Sequence, residues 1–306
     1  MQESKLHDHI YARSTGLALD SGNKLLVGPG DDCAVIKSPT GDLTLLTTDQ
    51  LIEARHFESN TDLDLIARKA IARSVSDIAA MGGVPTWSLA TAALPKNYQH
   101  ADKLFDAMSK WAKHWHCPLI GGDIATHSSP DHPLTLTVTI GGSMNPGSTP
   151  VLRSGAKPGD HLHLTGQIGG SFDSGWHLLF EPRLDAGQWA AANHADSGVH
   201  AMIDLSDGIG RDTDRIAKAS NLIIELDAAK LPLNHRSKDW QAACSDGEDY
   251  ELLMCIDPAI QIPAMNPPLQ GPMGTCRACN PNESPGAIMI DPHGKHHPLS
   301  ELGWDH

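Results

Sequence analysis

The sequence predicts a mixed α/β protein, because helix-type and strand-type hydrophobic patterns alternate along its 306 residues. Residues 134–140 alternate aliphatic side chains with threonines, which indicates a strand with one buried face. Residues 62–81 carry apolar side chains at helical spacing and are followed by Gly82, Gly83 and Pro85, which predicts a long helix that ends there. Such mixed patterns favour an α/β or α+β architecture.

The other elements follow in chain order from the same patterns. Strands are predicted over residues 43–48, 87–92, 161–165, 201–205 and 252–256. Further helices are predicted over residues 101–116 and 212–220. The segment 262–284 is rich in Pro, Gly and Asn, which predicts irregular structure, and the short apolar run 287–291 predicts a strand at a sheet edge.

The chain is long enough for two domains at roughly 100–200 residues each. A run of turn-forming residues, 141–150, follows the clearest strand and lies close to the middle of the chain. We therefore expect an N-terminal domain over residues 1–145 and a C-terminal domain over residues 146–306.

Composition narrows the classes of function. With 40% hydrophobic and 20% charged residues, the chain has the composition of a folded protein. Its 23 Lys and Arg face 37 Asp and Glu, giving a net charge of −14, so we expect neither nucleic acid nor a membrane as a partner. The sequence has no run of about 18 apolar residues and begins without an apolar signal core, so we expect a cytoplasmic protein with reduced cysteines.

Aspartates recur in one sequence context, an apolar or β-prone run beside small residues. This context surrounds Asp49, Asp123 and the pair Asp204 and Asp207, and it is reversed where Asp31 and Asp32 precede the run 34–36. A single such aspartate is more often a turn or cap residue than a ligand. Several aspartates at one sheet edge would repel each other without a cation, so their recurrence favours a divalent metal with a phosphate substrate.

Common phosphate-binding motifs are absent from the sequence. It contains neither the Gly-x-x-x-x-Gly-Lys-[Ser/Thr] motif nor the set of protein-kinase motifs. The glycine-rich residues 166–171 either cradle a phosphate with their amides or form a plain turn, and the second interpretation is favoured for a lone glycine cluster.

Eight motifs in order make the chain resemble the thiamine-monophosphate kinase family, within the aminoimidazole-ribonucleotide-synthetase-like superfamily. The motifs are 30–35 (GDDCAV), 48–57 (TDQLIEARHF), 76–82 (SDIAAMG), 121–123 (GGD), 153–160 (RSGAKPGD), 203–208 (IDLSDG), 247–252 (GEDYEL) and 303–306 (GWDH). They span nearly the whole chain.

The resemblance implies an activity and an assembly. Members of the family transfer the γ-phosphoryl group of ATP directly to thiamine monophosphate, without a phosphoenzyme, as homodimers that use several Mg²⁺ ions. The implied fold has an N-terminal sheet that forms a barrel in the dimer and binds ATP and Mg²⁺, followed by a C-terminal α/β domain.

The resemblance also implies roles for particular residues, none of them a covalent nucleophile. The Mg²⁺ ligands would be Asp32, Thr47, Thr48, Asp49, Asp77, Asp123, Asp207 and Asp212, with Asp31 nearby. ATP would contact Gly122, Asp123, Arg153 and Arg211, with Lys157 as a weaker candidate. Thiamine monophosphate would contact His56, Glu248 and Trp304.

Two alternatives remain open at the level of sequence. Residues 124–127 (IATH) replace the Thr-Thr-Arg that usually follows the family's Gly-Gly-Asp, so a relative that binds ATP but acts on another substrate, or regulates, is the second hypothesis. The spacing of Cys276, Cys279, His293 and His297 matches a zinc finger. Gly294 and Pro298 oppose the helix that such a finger needs, which favours two reduced thiols.

Overall fold

The structure is a computed structural model, and it describes residues 3–14, 19, 22–194 and 198–303. Among these residues no helix combines the length and the hydropathy needed to cross a membrane. The described strands form two sheets, one from the N-terminal half of the chain and one from the C-terminal half.

The first sheet has six strands in the order β1-β2-β3-β6-β4-β5. They are β1 (Lys24–Val27), β2 (Ala34–Lys37), β3 (Leu43–Ile52), β4 (Val84–Leu94), β5 (Leu119–Thr126) and β6 (Thr135–Ser143). All neighbours are antiparallel except β4 and β5. The sheet is open within one chain, with β1 and β5 at its edges.

One face of this sheet is apolar and the other carries threonines. The alternation predicted for residues 134–140 is confirmed in β6, where Leu136, Val138 and Ile140 are buried while Thr137 and Thr139 are more exposed. Helix α2 (Leu63–Ala80) packs on the apolar face and α3 (Ala101–His114) lies beside it. A further helix, α1 (Glu3–Ser14), was not predicted.

Helix α2 lies between the two sheets and is buried along almost its whole length. It begins where the side chain of Asp62 accepts a hydrogen bond from the amide of Asp64 at 2.8 Å. It ends at Ala80, shortly before Gly82, whose φ of +72° and close approach to Ala191 leave no room for a side chain. The prediction of a long helix over residues 62–81 is confirmed.

The second sheet has seven strands in the order β13-β12-β9-β11-β7-β10-β8. They are β7 (His161–Leu164), β8 (Val199–Asp204), β9 (Ile223–Asp227), β10 (Leu252–Ile256), β11 (Gly274–Arg277), β12 (Gly286–Ile290) and β13 (His296–Pro298). The helices of this half are α4 (Leu184–Ala192), α5 (Ile209–Ala219) and α6 (Trp240–Ser245), with 3₁₀ turns at Trp176–Leu178 and Ala228–Lys230.

Two expectations for the C-terminal segment are wrong. Residues 287–291 were expected at a sheet edge, but β12 lies between β9 and β13 and runs parallel to β9. Residues 262–284 were expected to be irregular, yet they contain β11, which pairs with β9 and buries Cys276. Because β11 has only four residues and is flanked by Pro and Gly, its sequence shows no recognisable strand pattern.

Candidate active site

A polar stripe runs along the buried helix α2. Lys69, Arg73 and Asp77 are spaced four residues apart, so they lie on one face of the helix. Lys69 is fully buried and Arg73 nearly so. Charged residues are rarely buried without partners, so this face marks the part of the molecule where a polar site is built.

Three carboxylates meet at the C-terminal end of this stripe. One oxygen from each of Asp32, Asp77 and Asp204 lies within 4.8 Å of the others. Asp32 precedes β2, Asp77 lies on α2 and Asp204 is the last residue of β8, so three distant segments of the chain supply the group. Thr47 donates a hydrogen bond to Asp77. We call these three residues the carboxylate cluster.

The electrostatics of the carboxylate cluster suit a cation. Burial and the charges of neighbouring aspartates raise the pKa values of Asp77 and Asp204 well above their ordinary range. Burial and the charge of Asp32 raise the pKa of Asp31 to about 7, although Arg153 opposes this. One buried oxygen of Asp32, Oδ2, has no hydrogen-bond partner among the described residues. Mg²⁺ is a hard cation that takes carboxylate oxygens, so the donor set fits it.

Arg153 lies against the cluster. Its Nη2 donates a hydrogen bond to Asp32 Oδ1 at 2.5 Å, and its backbone amide donates to Asp31 Oδ2 at 3.1 Å. Asp207 and Asp212, two predicted metal ligands, instead share Arg215, whose Nη2 and Nη1 donate to them at 2.5 and 2.7 Å. In this arrangement a guanidinium neutralises the second pair of carboxylates.

Asp49 and Thr48 lie on opposite faces of β3. Asp49 faces α2, where Ser74 donates a hydrogen bond to its Oδ2 at 2.9 Å and Arg73 Nη2 lies 3.7 Å from its Oδ1. Thr48 faces the other way and accepts a hydrogen bond from Thr139 at 3.0 Å. The structure therefore brings Asp49 beside the carboxylate cluster and leaves Thr48 on the open face of the sheet.

Gly122 and Asp123 lie inside the edge strand β5. In the strand register Gly122 is level with the buried Ala90, and a Cβ on Gly122 would lie 1.7 Å from the carbonyl oxygen of Ala90. Asp123 is level with the exposed Thr91, on the open face. Three strand spacings separate β5 from β3, roughly 14 Å. Asp123 is thus not brought to the cluster within one chain.

A second polar centre lies at the N-terminal end of the stripe. Lys69 Nζ donates hydrogen bonds to the carbonyl oxygen of His56, to Nδ1 of His177 and to Oε2 of Glu248, each at 2.6 Å. Burial lowers the pKa of Lys69 to about 8, although Glu248 raises it. Phe172 stacks on His177 with 4.4 Å between ring centroids. We call Lys69 and these three partners the Lys69 centre. It brings together His56 and Glu248, the two described residues that were predicted to contact thiamine monophosphate, the phosphate acceptor.

The backbone of the 247–250 turn directs Glu248 inward. Gly247, Glu248 and Tyr250 have φ values of +64°, +57° and +52°. Left-handed backbone costs of order 1 kcal/mol or more for residues other than glycine and is common at functional sites. Trp304, the third residue predicted to contact the acceptor, lies outside the described residues. Gly303, the last described residue, lies close to Arg211 and Asp207.

Comparison with known proteins identifies the family. Residues 30–144 match the family model described as AIR synthase related protein, N-terminal domain. The thiamine-monophosphate kinase of Rhodopirellula baltica is 37% identical over 254 residues, which cover 77% of each chain. That of Escherichia coli K12 is 34% identical over 262 residues, which cover 75% of this chain and 76% of the relative. The chain belongs to the thiamine-monophosphate kinase family.

Solved structures share the fold of this thiamine-monophosphate kinase family member. AaThiL complexed with AMPPCP and TMP superposes with a TM-score of 0.81 at 24% identity and covers 100% of this chain and 97% of the other. The thiamine-monophosphate kinase of Stenotrophomonas maltophilia gives a TM-score of 0.68 at 27% identity, with 92% and 94% covered. The hydrogenase maturation protein HypE in complex with ATP shares the fold at 15% identity and a TM-score of 0.68.

In this thiamine-monophosphate kinase family member, Glu248 makes stability depend on pH. Burial alone would raise the pKa of Glu248, but Lys69, His177 and Arg73 lower it from 4.5 to about 2. Ionised Glu248 therefore stabilises the fold above pH 4.5, and that contribution is lost as the pH falls towards 2. We expect Glu248→Gln to be less stable than wild type at pH 7, with a difference that shrinks between pH 4.5 and 3. Urea denaturation at several pH values measures this; a constant difference would contradict it.

Four residues of the site were not among those assigned a role from the sequence. They are Lys69, His177, Asp204 and Arg215. Lys69 could have been found from the sequence, because charged residues recur at every fourth position, 69, 73 and 77, in a helix rich in apolar residues. Asp204 lay in a quoted motif, but Asp207 was chosen from it. His177 and Arg215 lie in segments with no motif, so only the folded chain reveals them.

The glycine-rich segment and the candidate zinc residues have other partners. The amides of Gly169 and Gly170 donate hydrogen bonds to Asp249 at 2.9 Å and Asp246 at 2.8 Å, as expected of a structural turn. Cys276 lies in the core, with its Sγ 3.9 Å from Cys255 Sγ. His297 lies on β13, three strands from Cys276 on β11, and contacts Asp291 at 2.9 Å. The four residues with zinc-finger spacing therefore do not share one site.

Proposed function

We propose that the chain phosphorylates thiamine monophosphate with ATP, giving thiamine diphosphate and ADP. The observation that carries the proposal is the position of helix α2, which joins the carboxylate cluster at one end to the Lys69 centre at the other. In the transfer, an oxygen of the acceptor phosphate bonds to the γ-phosphorus of ATP. The bond to the bridging oxygen breaks, and ADP leaves with that electron pair.

Asp32, Asp77 and Asp204 would hold Mg²⁺, with Asp49 as a further ligand next to them. Bound Mg²⁺ neutralises phosphate charge and orients the two phosphates. Asp32 also accepts a hydrogen bond from Arg153, which fixes the carboxylate and leaves its buried Oδ2 for a ligand. The protein supplies position and charge, so no nucleophilic side chain is needed.

The Lys69 centre would hold the acceptor. Glu248 stays ionised at neutral pH, and its carboxylate would offset the positive charge of a thiazolium ring. Lys69 holds the Glu248 carboxylate in place through a buried ion pair. His56 and Trp304 complete the proposed contacts.

Other assignments remain part of the proposal. Thr47 would be a further ligand at the carboxylate cluster, whereas Thr48, Asp123, Asp207 and Asp212 would hold metal ions other than the one in the cluster. The ATP contacts would be Gly122, Asp123, Arg153 and Arg211. Residues 1–145 would form the domain for ATP, Mg²⁺ and dimerisation, and residues 146–306 the second domain. The compartment would be the cytoplasm.

We also propose that the chain forms a homodimer through β5 and the open face of the first sheet, giving a barrel from two sheets. Ile120 and Ile124 on β5 are 65% and 57% exposed, which leaves an apolar strand edge in contact with water. A partner there would also cover Asp123. Sedimentation should give twice the 32.7 kDa mass of one chain; a monomer at micromolar concentration would refute this part.

The test of the function is direct. The protein is incubated with ATP, Mg²⁺ and thiamine monophosphate, and thiamine diphosphate and ADP are quantified in equal amounts. Reactions with EDTA or without acceptor serve as controls. No thiamine diphosphate at saturating substrates would reject the proposal, and calorimetric ATP binding in that case would favour the regulatory alternative.

A further inference from the structure

Arg73 lies between the two centres. On α2 it is one turn from Lys69 and one turn from Asp77, a rise of about 6 Å in each direction. The charges of Glu248 in the Lys69 centre and of Asp77 in the carboxylate cluster both act on it. The phosphate of the acceptor must meet the metal-bound ATP, so it would also have to lie between the Lys69 centre and the carboxylate cluster.

The guanidinium of Arg73 is fixed by one hydrogen bond, and its hydrogen-bonding capacity is otherwise incompletely satisfied. Its Nη1 donates a hydrogen bond to the carbonyl oxygen of Gln50 at 2.8 Å. Its Nη2 lies 3.7 Å from Asp49 Oδ1, which is an ion pair too long for a hydrogen bond. Its buried Nε has no hydrogen-bond partner in the described part of the chain. An arginine can donate five hydrogen bonds, so most of its capacity remains.

Burying a hydrogen-bond donor without a partner costs free energy of folding, so the stability of the fold does not account for the guanidinium of Arg73 at this position. Neutralising Asp49 needs only a point charge, which a lysine would supply. A planar guanidinium with free N–H groups is instead suited to two oxygens of a phosphate.

We propose that Arg73 binds the phosphate group of the acceptor, a phosphate monoester, and holds it between the Lys69 centre and the carboxylate cluster. The inference rests on the proposed function and adds the residue that recognises the acceptor phosphate. It makes Arg73 a specificity residue, which selects the phosphorylated acceptor over the same molecule without phosphate.

The test compares Arg73→Gln with wild type for two ligands, thiamine monophosphate and thiamine, which lacks the phosphate. Calorimetry gives both dissociation constants without turnover, and kinetics gives KM for acceptor and for ATP. We expect a 10–100-fold loss for thiamine monophosphate, the size of a lost hydrogen-bonded charge pair, with thiamine and the KM for ATP changed by less than about threefold.

Arg68→Gln is the matched control. Arg68 lies on the same helix and is similarly buried, but it pairs with Glu181 at 2.8 Å and lies over Trp111 and Trp115, none of which belongs to either centre. We expect this variant to lower the melting temperature without changing the preference for the phosphorylated ligand. Arg73→Lys keeps the charge and loses the planar donor set, so we expect it to recover part of the affinity.

The outcomes separate the inference from the function. Equal losses for thiamine and thiamine monophosphate, or none for either, would overturn the role of Arg73 even if the wild type makes thiamine diphosphate. If Arg73→Gln does not fold, unchanged phosphate preference in Arg73→Lys would overturn it. Failure of the wild type to make thiamine diphosphate would reject the function, while a phosphate-selective loss of binding would still support Arg73.

Discussion

Replacing Asp77 with asparagine is expected to abolish phosphoryl transfer and to leave the metal-free protein at least as stable as the wild type. Asp77 is the member of the carboxylate cluster that lies on α2, and it faces Asp32 and Asp204 within 4.8 Å. Without a cation, burial and these charges make its ionised form unfavourable, which is why its pKa is raised. Asparagine keeps the shape and removes the charge.

The loss of activity follows from the role of the metal. A divalent ion contributes several kcal/mol to transition-state stabilisation, so we expect kcat to fall by at least about 10³-fold. The assay is thiamine diphosphate formation, and thermal unfolding in EDTA gives stability. Asp64→Asn, also on α2 but paired with Lys110 at the surface, is the control and should change neither. A kcat within tenfold of wild type, or a large fall in melting temperature in EDTA, would contradict the assignment.

Lys69→Met is expected to cause the largest loss of stability of any substitution in the site. The Lys69 side chain is fully buried and pairs with Glu248 at 2.6 Å, so its removal leaves a buried carboxylate without its counter-ion. Breaking such a pair costs about 3–5 kcal/mol. For a chain of 306 residues, with an unfolding entropy of about 2 cal/mol/K per residue, that corresponds to a fall in melting temperature of roughly 5–8 °C.

Two comparisons make this expectation specific. Lys110→Met breaks an exposed ion pair with Asp64 at 2.7 Å and should cost less than about 1 kcal/mol. Adding Glu248→Gln to Lys69→Met removes the unpaired charge and should recover part of the stability. If Lys69→Met melts within 2 °C of wild type, or the double variant is less stable than Lys69→Met, the ion pair does not have the role assigned to it.

The sequence patterns were sufficient for the elements with the strongest periodicity. Helix α2 and strand β6 were predicted within a few residues, because each repeats its apolar period over seven residues or more. Elements with short or mixed patterns, such as α1 and β11, were missed. The pairing of β11 depends on residues far away in the chain, which local patterns do not record.

The sequence identified the aspartates of the site, but it did not predict which way their side chains point. Asp204 does end a strand, but Asp49 and Asp123 lie inside strands, so the aspartates do not all gather at one sheet edge as expected. The side that Asp123 occupies depends on an irregularity between β4 and β5, where the register shifts after Ser88. A shift of one residue moves a side chain to the other face, and no local motif fixes it.

The measurement that tests the central claim most directly is the binding of Mn²⁺, followed by electron paramagnetic resonance, in wild type and in Asp204→Asn with and without ATP. If carboxylates from three separate segments hold the divalent ion, the wild type binds Mn²⁺ more tightly when ATP is present, and Asp204→Asn weakens binding by at least about tenfold. Equal Mn²⁺ affinity in the two proteins would contradict the account, because the ion would then lie somewhere other than between Asp32, Asp77 and Asp204.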